Sequence, residues 1–330
     1  MSKKWVKKFL VASGAMRLAA KCVPTGVAIL MYHSVMDEPE AEANTLGGII
    51  HSTTNFQAQM ELIARQFNPV TIQDVLEFVR GERDLPARPV VITFDDGYSD
   101  NYQIASPILK QIGVPATFYI TVDCVEKQKY PWPARIRYCF LSSKKAEWTE
   151  PEGARWPLRD VGSRTRAFER AWEYCGKLAG PIQENFVRGL EEELGAGPPV
   201  QNQRIMMSWE EVRGLVRDGH IVGSHTMTHP NMAHISREDL NREFLESKRW
   251  LEKQIEQPIS HFSYPCPALQ PHWAEHTVQE SLQAGYETAV TTNVGLARKN
   301  DNPLCLRRIR PTKEVDGLRW NLEHAFMNRA

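Results

Sequence analysis

Pro89-Val90-Val91-Ile92-Thr93-Phe94-Asp95-Asp96-Gly97 decides how the rest of the chain is read. A run of β-branched and apolar residues ends abruptly in two adjacent carboxylates and a glycine. The run is too short for a helix and is bounded by Pro and Gly, so it reads as a fully buried strand. Its last residues must sit where the strand leaves the core. Two neighbouring carboxylates there repel each other and lose solvation. That is costly unless something positive, such as a metal ion, lies beside them. The plainer reading is a turn at Asp96-Gly97, with Asp95 capping the next helix.

Working outward, apolar runs at 27–32, 69–71, 116–121, 220–224, 261–264, 287–291 and 305–309 alternate with helical patterns. Helices are expected over 56–67, 72–80 and 99–112, the last closed by Gly113. Ser208-Trp209-Glu210-Glu211 opens another as a capping box. Further helical patterns cover 236–254 and 271–284. Strands alternating with helices imply a parallel α/β sheet. Polar residues with chemical potential recur just after several strands: His33, Asp95 and Asp96, His225, and the 264–266 segment. A barrel gathers all its strand exits around one mouth, whereas an open sheet spreads them along a line. A distorted (β/α) barrel of seven or eight strands is therefore the expected fold. One segment, at about 123–204, breaks the rhythm and reads as an insertion. Its tryptophans (Trp132, Trp148, Trp156 and Trp172) could line a sugar-binding groove or fill a small satellite core.

Composition narrows the setting. The 330 residues suit one large α/β domain or two smaller ones. Lys+Arg and Asp+Glu are both 40, and a zero formal charge gives no bulk electrostatic grip on nucleic acid. Six scattered cysteines (Cys22, Cys124, Cys139, Cys175, Cys266, Cys305) form no C-x-x-C pair and read as reduced thiols, which points to the cytoplasm. Residues 1–24 form a basic amphipathic pattern ahead of a domain over 25–330. Over residues 3–21 two readings stay open: peripheral contact with the inner face of an anionic membrane, or ordinary packing on the domain. No stretch is long enough to span a bilayer.

The second informative stretch is His220-Ile221-Val222-Gly223-Ser224-His225-Thr226-Met227-Thr228-His229-Pro230. Pro230 disfavours helical backbone at His229, so the two histidines belong to a tight loop rather than a helix face. Two imidazoles and one carboxylate are a sufficient catalytic zinc set with a position left for water. One aspartate of the pair would bind the metal, and the free one beside an activated water would be a general base.

Thr93-Phe94-Asp95-Asp96-Gly97 and His225-Thr226-Met227-Thr228-His229 resemble the first two motifs of the polysaccharide deacetylases, carbohydrate esterase family four, also called the NodB-homology family. The resemblance covers roughly residues 26–310, less the insertion, which falls between the two motifs. It implies a TIM-like distorted barrel and an N-acetylated glycan as substrate. It makes Asp95 the catalytic base and gives a divalent metal, usually zinc, to Asp96, His225 and His229. The third family motif, Arg-x-Pro-Tyr-Gly, corresponds here to Ser263-Tyr264-Pro265-Cys266-Pro267. Ser263 stands in place of the arginine that orients the base; Arg307, Arg308 or Arg310 from the last strand are candidates for that role. Tyr264 and Cys266 are expected near the substrate, with the Cys266 backbone N–H on the oxyanion. Leu30-Met31-Tyr32-His33-Ser34-Val35 resembles the opening motif of a branch with rearranged strand order, which implies that His33 is the general acid. Two alternatives accompany the deacetylase reading: a de-N-acylase of a small or lipid-linked saccharide, and an inactive glycan-binding barrel.

Overall fold

The computed structural model describes residues 26–37, 49–178, 180–197, 205–265 and 275–327. The basic segment 1–24 and Cys266 lie outside these residues. In chain order the strands are β1 (Gly26–Tyr32), β2 (Ser34–Val35), β3 (Ile50–His51), β4 (Asn68–Pro69), β5 (Pro89–Phe94), β6 (Ala116–Ile120) and β7 (Glu147–Thr149). They continue as β8 (Arg155–Pro157), β9 (Ile221–Ser224), β10 (His261–Ser263), β11 (Thr288–Val294), β12 (Ala297–Arg298) and β13 (Leu306–Arg308).

Parallel pairing runs β1-β5-β6-β9-β10-β11-β13. The ring closes just beyond β13, where Ile309 N donates to Ile29 O at 2.7 Å and Met31 N donates to Ile309 O at 3.1 Å. The expected (β/α) barrel is the observed architecture, with β4 added beside β5 and β12 antiparallel on β1.

Strand alternation sorts side chains into two layers. Val27, Ile29, Val91, Tyr119, Val290 and Leu306 form one apolar cluster, floored by the helix Ile72–Val79. Their neighbours Ala28, Leu30, Val90, Ile92, Phe94 and Phe118 belong to a second cluster packed under the surrounding helices. In that second layer the Phe94 and Phe118 rings stack 4.8 Å apart, an arrangement worth about 0.5–1.5 kcal/mol beyond burial. Thr93, Asp95 and Arg308 share the inward register of the first layer, so polar chemistry begins where its apolar filling stops. Gly223 in β9 is fixed by that filling: a Cβ there would meet the Tyr119 ring at 2.6 Å.

Between β6 and β9 the chain runs through helices Val122–Lys127 and Trp132–Ser142, the β7–β8 hairpin, and helices Val161–Cys175 and Gly180–Leu194. This segment has its own core of Trp132, Ile136, Phe140, Trp148, Phe168 and Leu190. No helix among the described residues is long and apolar enough to cross a membrane. Cys124, Cys139, Cys175 and Cys305 are free thiols.

One helix departs from expectation. The stretch 99–112 opens as a π-helical turn, Asn101–Ala105, before continuing as the α-helix Ser106–Ile112. Such wide turns recur at functional sites, and this one starts next to the barrel mouth.

Candidate active site

The two adjacent aspartates at the end of β5 have separate partners. Asp95 meets Arg308 in a bidentate pair, Nη1 to Oδ1 at 2.9 Å and Nη2 to Oδ2 at 2.7 Å. Arg308 is 1 % exposed and also donates from Nε to the Thr291 carbonyl and from Nη2 to Ser263 Oγ. Ser263 stands where the third family motif would carry an arginine, and it now accepts a hydrogen bond from the guanidinium that β13 delivers. Burial alone pushes the Asp95 carboxyl up, but Arg308 and His225 outweigh it and hold the group below the usual carboxylate value.

Asp96 turns the other way. Its Oδ1 lies 3.5 Å from His225 Nε2 and 3.4 Å from His229 Nε2. One ligand atom from each of the three residues falls within 4.8 Å of the others, and all three residues are buried. His225 Nδ1 is 2.8 Å from the Ser263 carbonyl, which can only accept. That bond fixes the proton on Nδ1 and leaves a lone pair on Nε2, aimed at Asp96. Burial lowers the His225 pKa to about 4, so the imidazole is neutral across the physiological range. Asp96 Oδ1 is buried without a hydrogen-bond donor among the described residues. An anionic oxygen faced by the His225 lone pair is repulsive unless a cation joins them. The donor set, one carboxylate and two imidazoles, fits a divalent metal such as zinc.

Local backbone geometry aims these side chains. Asp96, Thr226 and His229 all adopt left-handed conformations, with φ of 79°, 69° and 63°. Such strain needs support from its surroundings. The Thr226 hydroxyl accepts from His229 N at 2.9 Å, and Glu243 Oε2 accepts from Met227 N and Thr228 N at 2.8 and 2.9 Å. His229 avoids helical backbone, as Pro230 demands, but takes the left-handed form rather than the extended one.

His33 follows β1 and lines the same cavity as Asp95 and Asp96. Burial lowers its pKa, against the opposing pull of Asp96 and Asp95. Two residues that sequence reasoning passed over hold its loop. Asn101 Nδ2 donates to the His33 carbonyl at 2.7 Å, and Asp100 accepts from Ser34 Oγ at 2.7 Å and from Val35 N at 3.1 Å. The signal was present: Asp100-Asn101 are polar residues on a helix that must pack inward just after the Asp-Asp-Gly turn.

Tyr264 lines the cavity as well. Its backbone N–H goes to the Val290 carbonyl and its phenol contacts the Leu304 carbonyl and Ser281 Oγ. Both donors are engaged within the barrel, because the ring packs into the core beside Phe262. Tyr264 therefore lends the cavity wall its surface and has no donor left for an oxyanion. The Cys266 amide lies outside the described residues.

The cavity is about 610 Å³. Met31, Thr292 and Arg310 line its barrel side, and Arg137, Phe168 and Trp172 of the inserted segment face them. Of the four tryptophans in that segment, Trp148 fills the satellite core while Trp172 packs against that core and also lines the cavity.

A closed barrel whose mouth holds a carboxylate–guanidinium pair beside an Asp-His-His cluster places the chain among the α/β-barrel hydrolases. The profile described as Polysaccharide deacetylase matches residues 82–167 and 191–289, more than half of the chain. The protein belongs to the polysaccharide deacetylase family. It is 21 % identical over 295 residues to "Putative polysaccharide deacetylase YxkH" of Bacillus subtilis (strain 168), covering 89 % of this chain and 74 % of that one. A 52-residue stretch is 42 % identical to the poly-beta-1,6-N-acetyl-D-glucosamine N-deacetylase of Escherichia coli (strain K12), covering 16 % of this chain and 8 % of that protein. The fold is that of the Streptococcus pyogenes deacetylase PplD, with a TM-score of 0.60, 20 % identity, and coverage of 90 % of this chain and 97 % of the other.

Proposed function

We propose that the protein is a metal-dependent carbohydrate N-deacetylase that hydrolyses the acetamide of an N-acetylated sugar in an oligo- or polysaccharide. The observation that carries the reading is the division of labour between the adjacent carboxylates: Asp95 faces a guanidinium, Asp96 faces two imidazoles. Asp96, His225 and His229 would hold the cation. When bound, the cation supplies a Lewis acid for the acetamide carbonyl oxygen and acidifies a water molecule.

The chain's own residues account for the proton traffic. Asp95 stays ionised beside Arg308 and takes a proton from the water that attacks the carbonyl carbon. Arg308 fixes the direction of that carboxylate through its fork of hydrogen bonds. His33, held by Asp100 and Asn101, gives a proton to the sugar nitrogen as the C–N bond breaks. Acetate and a free amino sugar leave. The inactive-barrel alternative drew its support from Ser263 standing in place of the motif arginine. Arg308 supplies the guanidinium from another strand, which removes that support.

The test uses purified protein, metal analysis and acetate release from chito-oligosaccharides. The reading expects bound divalent metal and acetate release, with Asp95→Asn retaining metal and losing turnover. Wild-type rates in Asp95→Asn on every accepted substrate would sink it.

A further inference from the structure

Arg137 stands on the helix Trp132–Ser142, in the inserted segment, and lines the same cavity as Asp95 and Asp96. It is 4 % exposed. Its Nε and Nη1 atoms meet no hydrogen-bond acceptor, and no carboxylate among the described residues lies within ion-pair reach of it. Three other arginines turned toward the interior are paired. Arg308 holds Asp95, Arg88 holds Glu323, and Arg135, two residues earlier on the same helix, grips Glu184 and Glu191. Arg135 thus staples the helix, and Arg137 does not. The Tyr138 ring face, 4.5 Å from the guanidinium carbon, offsets part of the charge's burial but satisfies none of its N–H groups.

A second group points to the same place. Tyr98 lines the cavity, is itself 4 % exposed, and its hydroxyl has no hydrogen-bond partner among the described residues. An unpaired guanidinium from the inserted segment and a free phenol from the turn after β5, lining one cavity, form a set of donors with no acceptor. A buried cation of this kind is costly unless an anion meets it. The forked, permanently charged guanidinium matches a planar or tetrahedral oxyanion. The two glutamates of the inserted segment that also line the cavity form no ion pair with it: Glu173 is engaged by Lys177 at 3.0 Å, and Glu169 is exposed.

We infer that Arg137 and Tyr98 form an oxyanion subsite within the deacetylase cavity, which receives a carboxylate or phosphate carried by the glycan close to the acetamide that is cleaved. This rests on the deacetylase reading above and adds the class of sugar it selects. The inserted segment then serves as the selectivity wall of a barrel whose strands supply the chemistry.

The experiment compares neutral chitobiose with two charged probes, a disaccharide containing N-acetylmuramic acid and a 6-phosphorylated chitobiose. The ratio of kcat/KM, charged over neutral, is measured for wild type, Arg137→Met and Arg137→Lys. The wild type should favour one charged probe by about tenfold or more. Arg137→Met should bring that ratio close to one, and Arg137→Lys should keep part of it. The same sugars are titrated by calorimetry into metal-loaded Asp95→Asn, with and without Arg137→Lys, so that recognition is read without turnover. A charged-probe preference in binding that Arg137→Lys reduces supports the subsite even where no sugar is hydrolysed, an outcome that would overturn the deacetylase reading alone. Equal handling of neutral and charged sugars by the wild type, or a preference that survives both Arg137 substitutions, overturns the subsite and leaves the deacetylase reading intact. Thermal unfolding of each variant separates lost recognition from lost fold. Should Arg137→Met not fold, the Arg137→Lys series decides.

Discussion

Replacing Arg308 with Met tests the centre of the site most directly. The guanidinium makes two bonds to Asp95 and further ones to Thr291 O, Ser263 Oγ and Thr93 Oγ1. Methionine keeps much of the volume but removes the charge, so Asp95 becomes a buried carboxylate without a cation. Breaking such a pair from one side costs about 3–5 kcal/mol. At roughly 2 °C per kcal/mol for a chain of this size, Tm should fall by about 6–10 °C. Most of that cost is the stranded charge rather than the lost contacts, and the two can be separated. In Arg308→Met with Asp95→Asn the charge is gone, so the double variant should recover a coupling energy of about 2–3 kcal/mol relative to the sum of the singles. The assay is a double-mutant cycle by denaturant unfolding, with metal content measured in parallel. Asp96, His225 and His229 are untouched, so metal stoichiometry should be unchanged in all four proteins. If the two substitutions are additive, Asp95 does not depend on Arg308 and the orienting role assigned to that arginine is wrong.

Two further outcomes are expected. Glu243→Ala strands the donors of Met227 and Thr228 that hold the His229 loop; affinity for zinc, read by competition with a chelator, should drop about 10–100-fold, and affinity within twofold of wild type would refute the bracing role. His261 is buried, its pKa lowered by that burial to about 4 against 6.5 in an open chain. Between those values the unfolded chain binds a proton that the folded one refuses, so stability declines as pH falls; from pH 7 to 5 this residue accounts for about 2 kcal/mol. Unfolding of His261→Asn at both pH values should show a shallower decline than wild type, and equal declines would refute the assignment.

Much of the barrel was legible because its strands are short β-branched runs punctuated by Gly and Pro, and burial on both faces leaves such runs unbroken. The Asp-His-His cluster was legible for a different reason: Asp96 follows a strand, and His225 and His229 flank a proline-terminated turn, all patterns local in sequence. Arg308 was harder. Three arginines crowd the last strand, and nothing local says which one turns inward. Alternation carries part of the information: it turns Arg307 outward, while Arg308 and Arg310 both share the face of the buried Leu306, and of these two only Arg308 is buried, Arg310 standing exposed at the cavity. The helix Trp132–Ser142 escaped notice because it begins at a Trp-Pro pair within a proline-rich stretch. The π-helical turn at Asn101 has no period of its own to detect. The core packing of the Tyr264 ring beside Phe262 was not legible, because a motif gives the order of residues along a strand end and not the direction in which an aromatic ring packs.

The seam of the ring lies between β13 and β1, and Arg308 reaches Asp95 across a separation of 213 residues. A nascent chain could therefore fold its first strands, and even place Asp96 among its imidazoles, while the neighbouring carboxylate still lacked its counter-ion. Competence for hydrolysis would arrive late in synthesis and all at once, when the final strand docks and zips the cylinder shut. A truncation that spared every recognised motif but stopped before Leu306 would leave a recognisable, inert protein.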